Sequence, residues 1–178
     1  MADPIKLWRY YLPSENGQGW AEIVLCSSGF FGAVSDWGNH SFAWRAFGDG
    51  DFREFVAGLD AGYLEGKLGA CSGHSDEFDA EKSLRAIRTH IIEARRGGAL
   101  TKEQARKEFD LTKELEDEPS QIGATRWYDQ TEIQDANELL RYSPPTDLVE
   151  FCKRVMPRLA AVLRAELEVE RAQEAANG

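Results

Sequence analysis

The sequence predicts an α+β protein: an N-terminal four-stranded antiparallel sheet covered by a helix, followed by a helical region. Three observations predict it. Four of the five tryptophans fall in the first quarter of the 178 residues, among short apolar runs joined by Gly, Ser and Asn. After Gly48-Asp49-Gly50 the apolar spacing changes from alternation to i, i+3, i+4, i+7. From residue 76 onward, apolar-periodic segments alternate with Gly-Gly and Pro stops. The expected division is residues 1–70, a sheet with covering helices, and residues 76–178, a helical region packed with it as one compact unit.

The elements follow in order. Residues 6–12 (KLWRYYL) are aromatic-rich and end at Pro13, with the turn-like SENGQG after it. Residues 19–27 form a second strand with Trp20, Ile23 and Leu25 among its apolar positions, and residues 30–35 a third after the tight Ser27-Ser28-Gly29 connection. Residues 36–39 turn the chain into a fourth strand at 41–47, with Gly38-Asn39 supplying positions that tolerate positive φ. Asp51 caps a helix over 52–59, whose Phe52, Phe55, Val56 and Leu59 make one apolar stripe. A lone sheet needs such cover, because two packed layers are the smallest stable arrangement. A short helix over 61–68 leads into the linker GACSGHS.

Further helices are expected over 77–95, stopped by Arg95-Arg96-Gly97-Gly98, and from Thr101 to about Glu118 before Pro119. The second carries only Phe109, Leu111 and Leu115 as large apolar residues. Another helix is expected over 127–142, and a last one from Thr146 to about Ala172, kinked or interrupted at Pro157. In the last, Leu148, Val155, Val162 and Val169 repeat every seven residues, and Phe151, Leu159, Leu163 and Leu167 fill adjacent positions. That is a helix-packing seam, favoured as intramolecular over dimer-forming because it spans fewer than four heptads.

Composition bounds the function. The net charge is −10, shared as −4 over residues 1–75 and −6 over 76–178. With no basic arm, direct nucleic-acid binding is unfavourable, since affinity there comes largely from Lys and Arg displacing counterions. An acidic protein still fits a basic partner. Three widely spaced cysteines argue against a disulfide framework and a zinc site, and point to a reducing cytoplasm. No run is apolar enough to span a bilayer, and MADPIKLWRYYL lacks a signal-peptide pattern, so no membrane association is expected.

No catalytic residue, metal ligand or cofactor is predicted. His90 and Glu93 form one H-x-x-E, whereas di-metal bundles need more than one such element. GACSG around Cys71 lacks an identifiable base and a helix start after the cysteine. Cys26 reads as a small core residue, and His74, next to Asp76, as a helix-terminus contact. The partner-binding candidates are Asp129, Glu132, Asp135 and Glu138, a carboxylate every third residue along the expected 127–142 helix, with Glu114, Glu116, Asp117 and Glu118 upstream. Such a stripe is a solvated face or a mimic of phosphate spacing. One helix supplies a charge only every ~4.5 Å, against one per ~1.7 Å of duplex axis, so mimicry needs several elements together. Asp36 and Trp37 are the other candidates: turn acceptor and sheet-edge cover on one reading, rigid contact residues on the other.

The run SDWGNHSFAWR, followed by DFREF and LDAGYLEGKL, resembles a group of small proteins encoded by bacteriophages and prophages. Their pattern is S-D-x-G-N, an aromatic strand, F-R-x-F and Y-L-x-x-K-L. Asp36, Gly38, Asn39, Phe42, Trp44, Phe52, Arg53, Phe55, Tyr63, Leu64, Lys67 and Leu68 match it over roughly residues 20–68. The resemblance implies a phage accessory protein acting by binding in the host cytoplasm, with inhibitors of host defences such as CRISPR–Cas among the examples, and it assigns no catalytic residue. The expected function is therefore non-enzymatic binding, as a monomer or dimer, to a host or defence protein with a basic surface. The alternatives are a nucleic-acid-processing accessory enzyme using Asp36, His40 and Glu22, and an assembly protein self-associating through its C-terminal helix.

Overall fold

Strands β1 (Leu7–Leu12), β2 (Ala21–Cys26), β3 (Phe30–Ser35) and β4 (Gly38–Ala43) form an antiparallel meander in sequence order. This is the expected sheet, with the fourth strand beginning three residues early. The connection from β3 is only Asp36-Trp37, and Ser35 already pairs with Gly38, whose φ is +87°. The strand also stops early, at Ala43, because the Trp44 N–H turns to the Gly29 carbonyl (2.9 Å). Gly29, with φ +93°, lies in turn against the Trp44 carbonyl, with which any Cβ there would collide.

The register puts Tyr10, Ile23, Ala33 and His40 in one row and Leu12, Ala21 and Ser35 in the next, on the inner face. Against that face pack α1 (Phe52–Ala57), capped by Asp51, and α2 (Ala61–Ser72). The core they share also contains Leu148, Phe151, Val155, Leu159 and Leu163 from the end of the chain. Leu148, Phe151, Val155, Leu159 and Leu163 of the C-terminal seam thus pack within the chain.

The computed structural model describes residues 4–72 and 76–177, so His74 lies outside the described residues, as does the side chain of Cys71. Two compact units emerge: Met1–Ser75 with Pro144–Gly178, and Asp76–Ser143. The helical region expected from 76 to 178 is therefore split, its last part belonging with the sheet.

The second unit opens with β5 (Glu77–Phe78), paired with β6 (Tyr142–Ser143), where a helix start is expected. Helix α3 (Ala80–Arg96) begins after Asp79, whose carboxylate accepts the Lys82 N–H and stays below its ordinary pKa chiefly through that bond. Helix α4 (Lys102–Asp117) carries a full capping box: the Gln104 N–H donates to Thr101 Oγ1 (3.1 Å) and the Thr101 N–H to Gln104 Oε1 (2.8 Å). Ile87, Ile91, Leu115, Ala124, Trp127, Ile133 and Ala136 form this unit's core.

The helix expected over 127–142 is not formed. Helix α5 runs instead from Gln121 to Gln130, with Ser120 as its cap. Buried Glu108 ends it: its carboxylate accepts the Thr131 hydroxyl (2.6 Å) and the Glu132 N–H (3.0 Å), holding Thr131 extended. Ile133 then turns into the core, Asp135 takes a left-handed φ of 53°, and a 3-10 turn spans Ala136–Leu139. The last helix is likewise in pieces: α6 (Thr146–Glu150), a wide π-helical turn (Phe151–Val155) and α7 (Met156–Asn177). Pro157 has no N–H for the Lys153 carbonyl and its ring would crowd that oxygen, so the turn before it widens. The wide turn consumes an extra residue. The buried face downstream therefore falls at Leu159, Leu163 and Leu167, and leaves Val162 and Val169 exposed.

Candidate functional site

The outward face of the sheet is the most unusual surface of the first unit. An antiparallel sheet covered on one side ordinarily turns polar residues to water on the other. Here the outward positions include Leu7, Tyr11, Val24, Phe30 and Val34, and Leu7 is 70 %, Tyr11 64 %, Val34 50 % and Phe30 41 % exposed. Trp20 extends the patch, its ring edge-on to Tyr11 at 6.4 Å. Contiguous exposed apolar surface of this kind marks an interaction site more often than an isolated exposed residue does. A shallow depression of about 470 Å³ runs over β2, β3 and β4. Its centre is Gly32, where a side chain would press on the overlying Phe30 ring. The ion pair between Arg9 Nε and Glu22 Oε1 (2.6 Å) puts one charge of each sign on the same face.

The signal for this face lay in the strands themselves. LWRYYL is apolar or aromatic at both parities except at Arg9, and FFGAV offers no polar alternate positions. A sheet read as covered on one face hides that pattern.

The strongest electrostatic constellation is structural. Arg53 is only 4 % exposed and is reached by three carboxylates: Asp51 (2.8 Å), Glu166 (3.0 Å) and Glu170 (2.6 Å). Its guanidinium also lies 4.7 Å over the Trp8 ring, and the Tyr10 hydroxyl donates to Glu166 (2.8 Å). Hydrogen bonding to Arg53 holds Asp51 and Glu170 below the usual carboxylate range, while burial and then the bond to Glu166 push the Tyr10 phenol up. The cluster ties α1 and β1 to α7.

The other motif residues build an aromatic cluster at the same end of the sheet. Trp44 sits 4.6 Å from Phe42, 5.9 Å from Phe52 and 5.6 Å from Phe55, and its indole N–H donates to the Tyr63 hydroxyl (3.0 Å). Lys67 lies over both Phe42 and Tyr63. F-R-x-F and Y-L-x-x-K-L therefore join α1 and α2 to the sheet.

Asp129, Glu132, Asp135 and Glu138 are all exposed, but they share no helix face. Asp129 closes α5, Glu132 is extended and bonded to Lys107, Asp135 is left-handed, and Glu138 sits in the 3-10 turn. The stripe expected of one helix is corrected to an irregular acidic segment, for the reason given by Glu108. Asp36 accepts the Trp20 N–H (2.9 Å), and Trp37 packs against the core with the Arg154 guanidinium 5.8 Å from its ring. Both carry structure as well as surface.

Asp36, His40 and Glu22 are not brought together. Glu22 points outward beside Arg9, whereas His40 is buried on the inner face, donates Nε2–H to the Trp37 carbonyl (2.7 Å) and lies 4.4 Å from the Phe151 ring. Burial pushes the Cys152 thiol up to about 12. Among the described residues, no group of three or more His, Cys, Asp or Glu could hold a metal ion, and no helix is long and apolar enough to cross a membrane.

A model of a phage family matches residues 4–165, and the chain belongs to that family. No curated protein and no solved structure matches it significantly.

Proposed function

We propose that this phage-family protein acts without catalysis, by binding a protein of the host cytoplasm, and that the outward face of its sheet makes the contact. The observation that carries this reading is the exposure of Leu7, Tyr11, Phe30 and Val34 on one face. Rigid aromatics on a strand lose little conformational freedom on binding. The experiment is a pull-down from the host with the wild-type chain and with a Tyr11→Asp, Val34→Asp variant. The wild type is expected to return a stoichiometric protein that the variant does not. An equal yield from both removes the sheet face from the proposal.

A second reading rests on the exposure of Asp129, Glu132, Asp135 and Glu138 in a chain of charge −10. These carboxylates suit the basic surface of a defence protein, such as the nucleic-acid groove of a CRISPR–Cas effector. Reversing all four charges should weaken such a complex and flatten its salt dependence. Unchanged affinity would discard this acidic segment while leaving the sheet face in place.

A further inference from the structure

We propose that the groove between α3 and α4 in the second unit docks an acidic amphipathic helix of another protein. This is independent of the sheet face. The groove has a volume of about 490 Å³, and its lining includes Ile92, Ala105 and Phe109. Ile92 is 45 % and Phe109 43 % exposed, although neighbouring Ile91 is buried in the unit's core. Two large apolar side chains on adjacent helices, separated by a furrow, are the form that takes the ridge of a third helix.

The rim sets the charge of the occupant. Arg95, Arg96 and Arg106 border the groove, and none enters an ion pair among the described residues. The carboxylate at this rim, Asp110, is held by Lys113 (3.0 Å). Arg95 and Arg96 gain something from the carbonyl end of α3. Arg106 lies beyond the first turn of α4, where the helix dipole no longer weighs on it. In a chain of net charge −10, three unpaired guanidiniums around an apolar furrow are complementary to a carboxylate-flanked apolar stripe. A nucleic-acid strand would meet the guanidiniums but has no apolar stripe for Ile92.

The test uses the full-length protein and three labelled probes in fluorescence anisotropy: an amphipathic peptide with Leu at i, i+3, i+4 and i+7 flanked by Glu, the same peptide with every Glu changed to Lys, and a short thymidine oligonucleotide. The net charge of the protein favours the Lys peptide, so a preference for the Glu peptide reports the groove. The Glu peptide is expected to bind at least about tenfold tighter than the Lys peptide. Arg95→Glu with Arg106→Glu should remove that preference, and Phe109→Ser should weaken binding of the Glu peptide. These side chains are exposed, and unchanged helical circular dichroism confirms that the variants fold. Ile122→Ser, at an exposed position outside the groove, should change nothing. The proposal is overturned if neither peptide binds, if the Lys peptide binds as well or better, if the double arginine variant retains the preference, or if the oligonucleotide binds tighter through the same arginines.

Discussion

The two units are held together by different means. The first joins the two ends of the chain: Tyr10 bonds Glu166 across 156 residues, and Arg53 bonds Glu170 across 117. The second is one continuous stretch whose helices pack on their sequence neighbours around Trp127. Each buries a tryptophan, on opposite terms. The Trp44 indole N–H is satisfied by Tyr63, while the Trp127 indole N–H is fully buried and has no partner among the described residues. Polar contacts across more than a hundred residues help close the first unit, whereas those that close the second, such as Ser143 Oγ to Asp79 (2.8 Å) and the Arg141 N–H to Ser83 Oγ (2.8 Å), span 64 and 58 residues.

The largest effect should come from truncation after Ser143. The first unit then loses Leu148, Phe151, Val155, Leu159 and Leu163 from its core, and the sheet should not form. The second unit's helices do not need those residues. The measurement is near- and far-ultraviolet circular dichroism: the Trp44 aromatic signal should vanish and helical signal from residues 76–143 should remain. Complete loss of helix would show that the units are not separable in stability.

Next comes Arg53→Met, expected to destabilise the first unit by about 3 kcal/mol. This is the low end for breaking a buried ion pair, since the carboxylates left behind are about a third or more exposed. The pH dependence carries a sign. Asp51 and Glu170 are depressed in the folded state, so their contribution is present above the ordinary carboxylate range of about 4 and is lost as pH falls through their folded values. Wild-type Tm should fall below about pH 4. In Arg53→Met the three carboxylates face one another with only Lys6 nearby, so acid should relieve repulsion and the slope should flatten or invert. Parallel pH curves would reduce the network to packing.

The tryptophans sharpen the contrast further. Trp44→Phe removes the bond to the exposed Tyr63 hydroxyl, which water can replace, and should cost about 1 kcal/mol beyond its lost volume. Trp127→Phe removes an unsatisfied buried donor, which offsets part of its lost volume, so its net cost should stay within about 1 kcal/mol. Urea denaturation of both variants measures the difference, and equal costs would mean that the indole N–H groups do not matter. The smallest effect is Thr101→Ala, which breaks the exposed capping box of α4 at about 0.5 kcal/mol. It should shift the second unit's transition alone.

What was legible in the sequence follows the same division. The four strands were readable because the turns between them are local and Gly38 and Gly29 mark their ends. Helices α3 and α4 were readable from Arg95-Arg96-Gly97 and from Thr101 with Gln104. The role of Arg53 was not, because two of its three carboxylate partners, Glu166 and Glu170, lie more than a hundred residues away and carry no spacing signal. The stretch from 121 to 142 was misread for a related reason. Glu108 looks like any solvated helix residue, yet its burial decides where α5 ends, and with that end the acidic stripe disappears. At Gly123, inside α5, a Cβ would collide with the Glu118 carbonyl, so that helix needs a glycine near its start. The candidate sheet face was written in β1 and β3 but is recognisable only once the register assigns each residue a side.

The small clasp of Glu77–Phe78 on Tyr142–Ser143 sets the first and last residues of the inserted stretch side by side. Insertions with adjoining ends disturb their host least. A replacement for residues 76–143 whose ends lie equally close is therefore expected to leave the sheet folded.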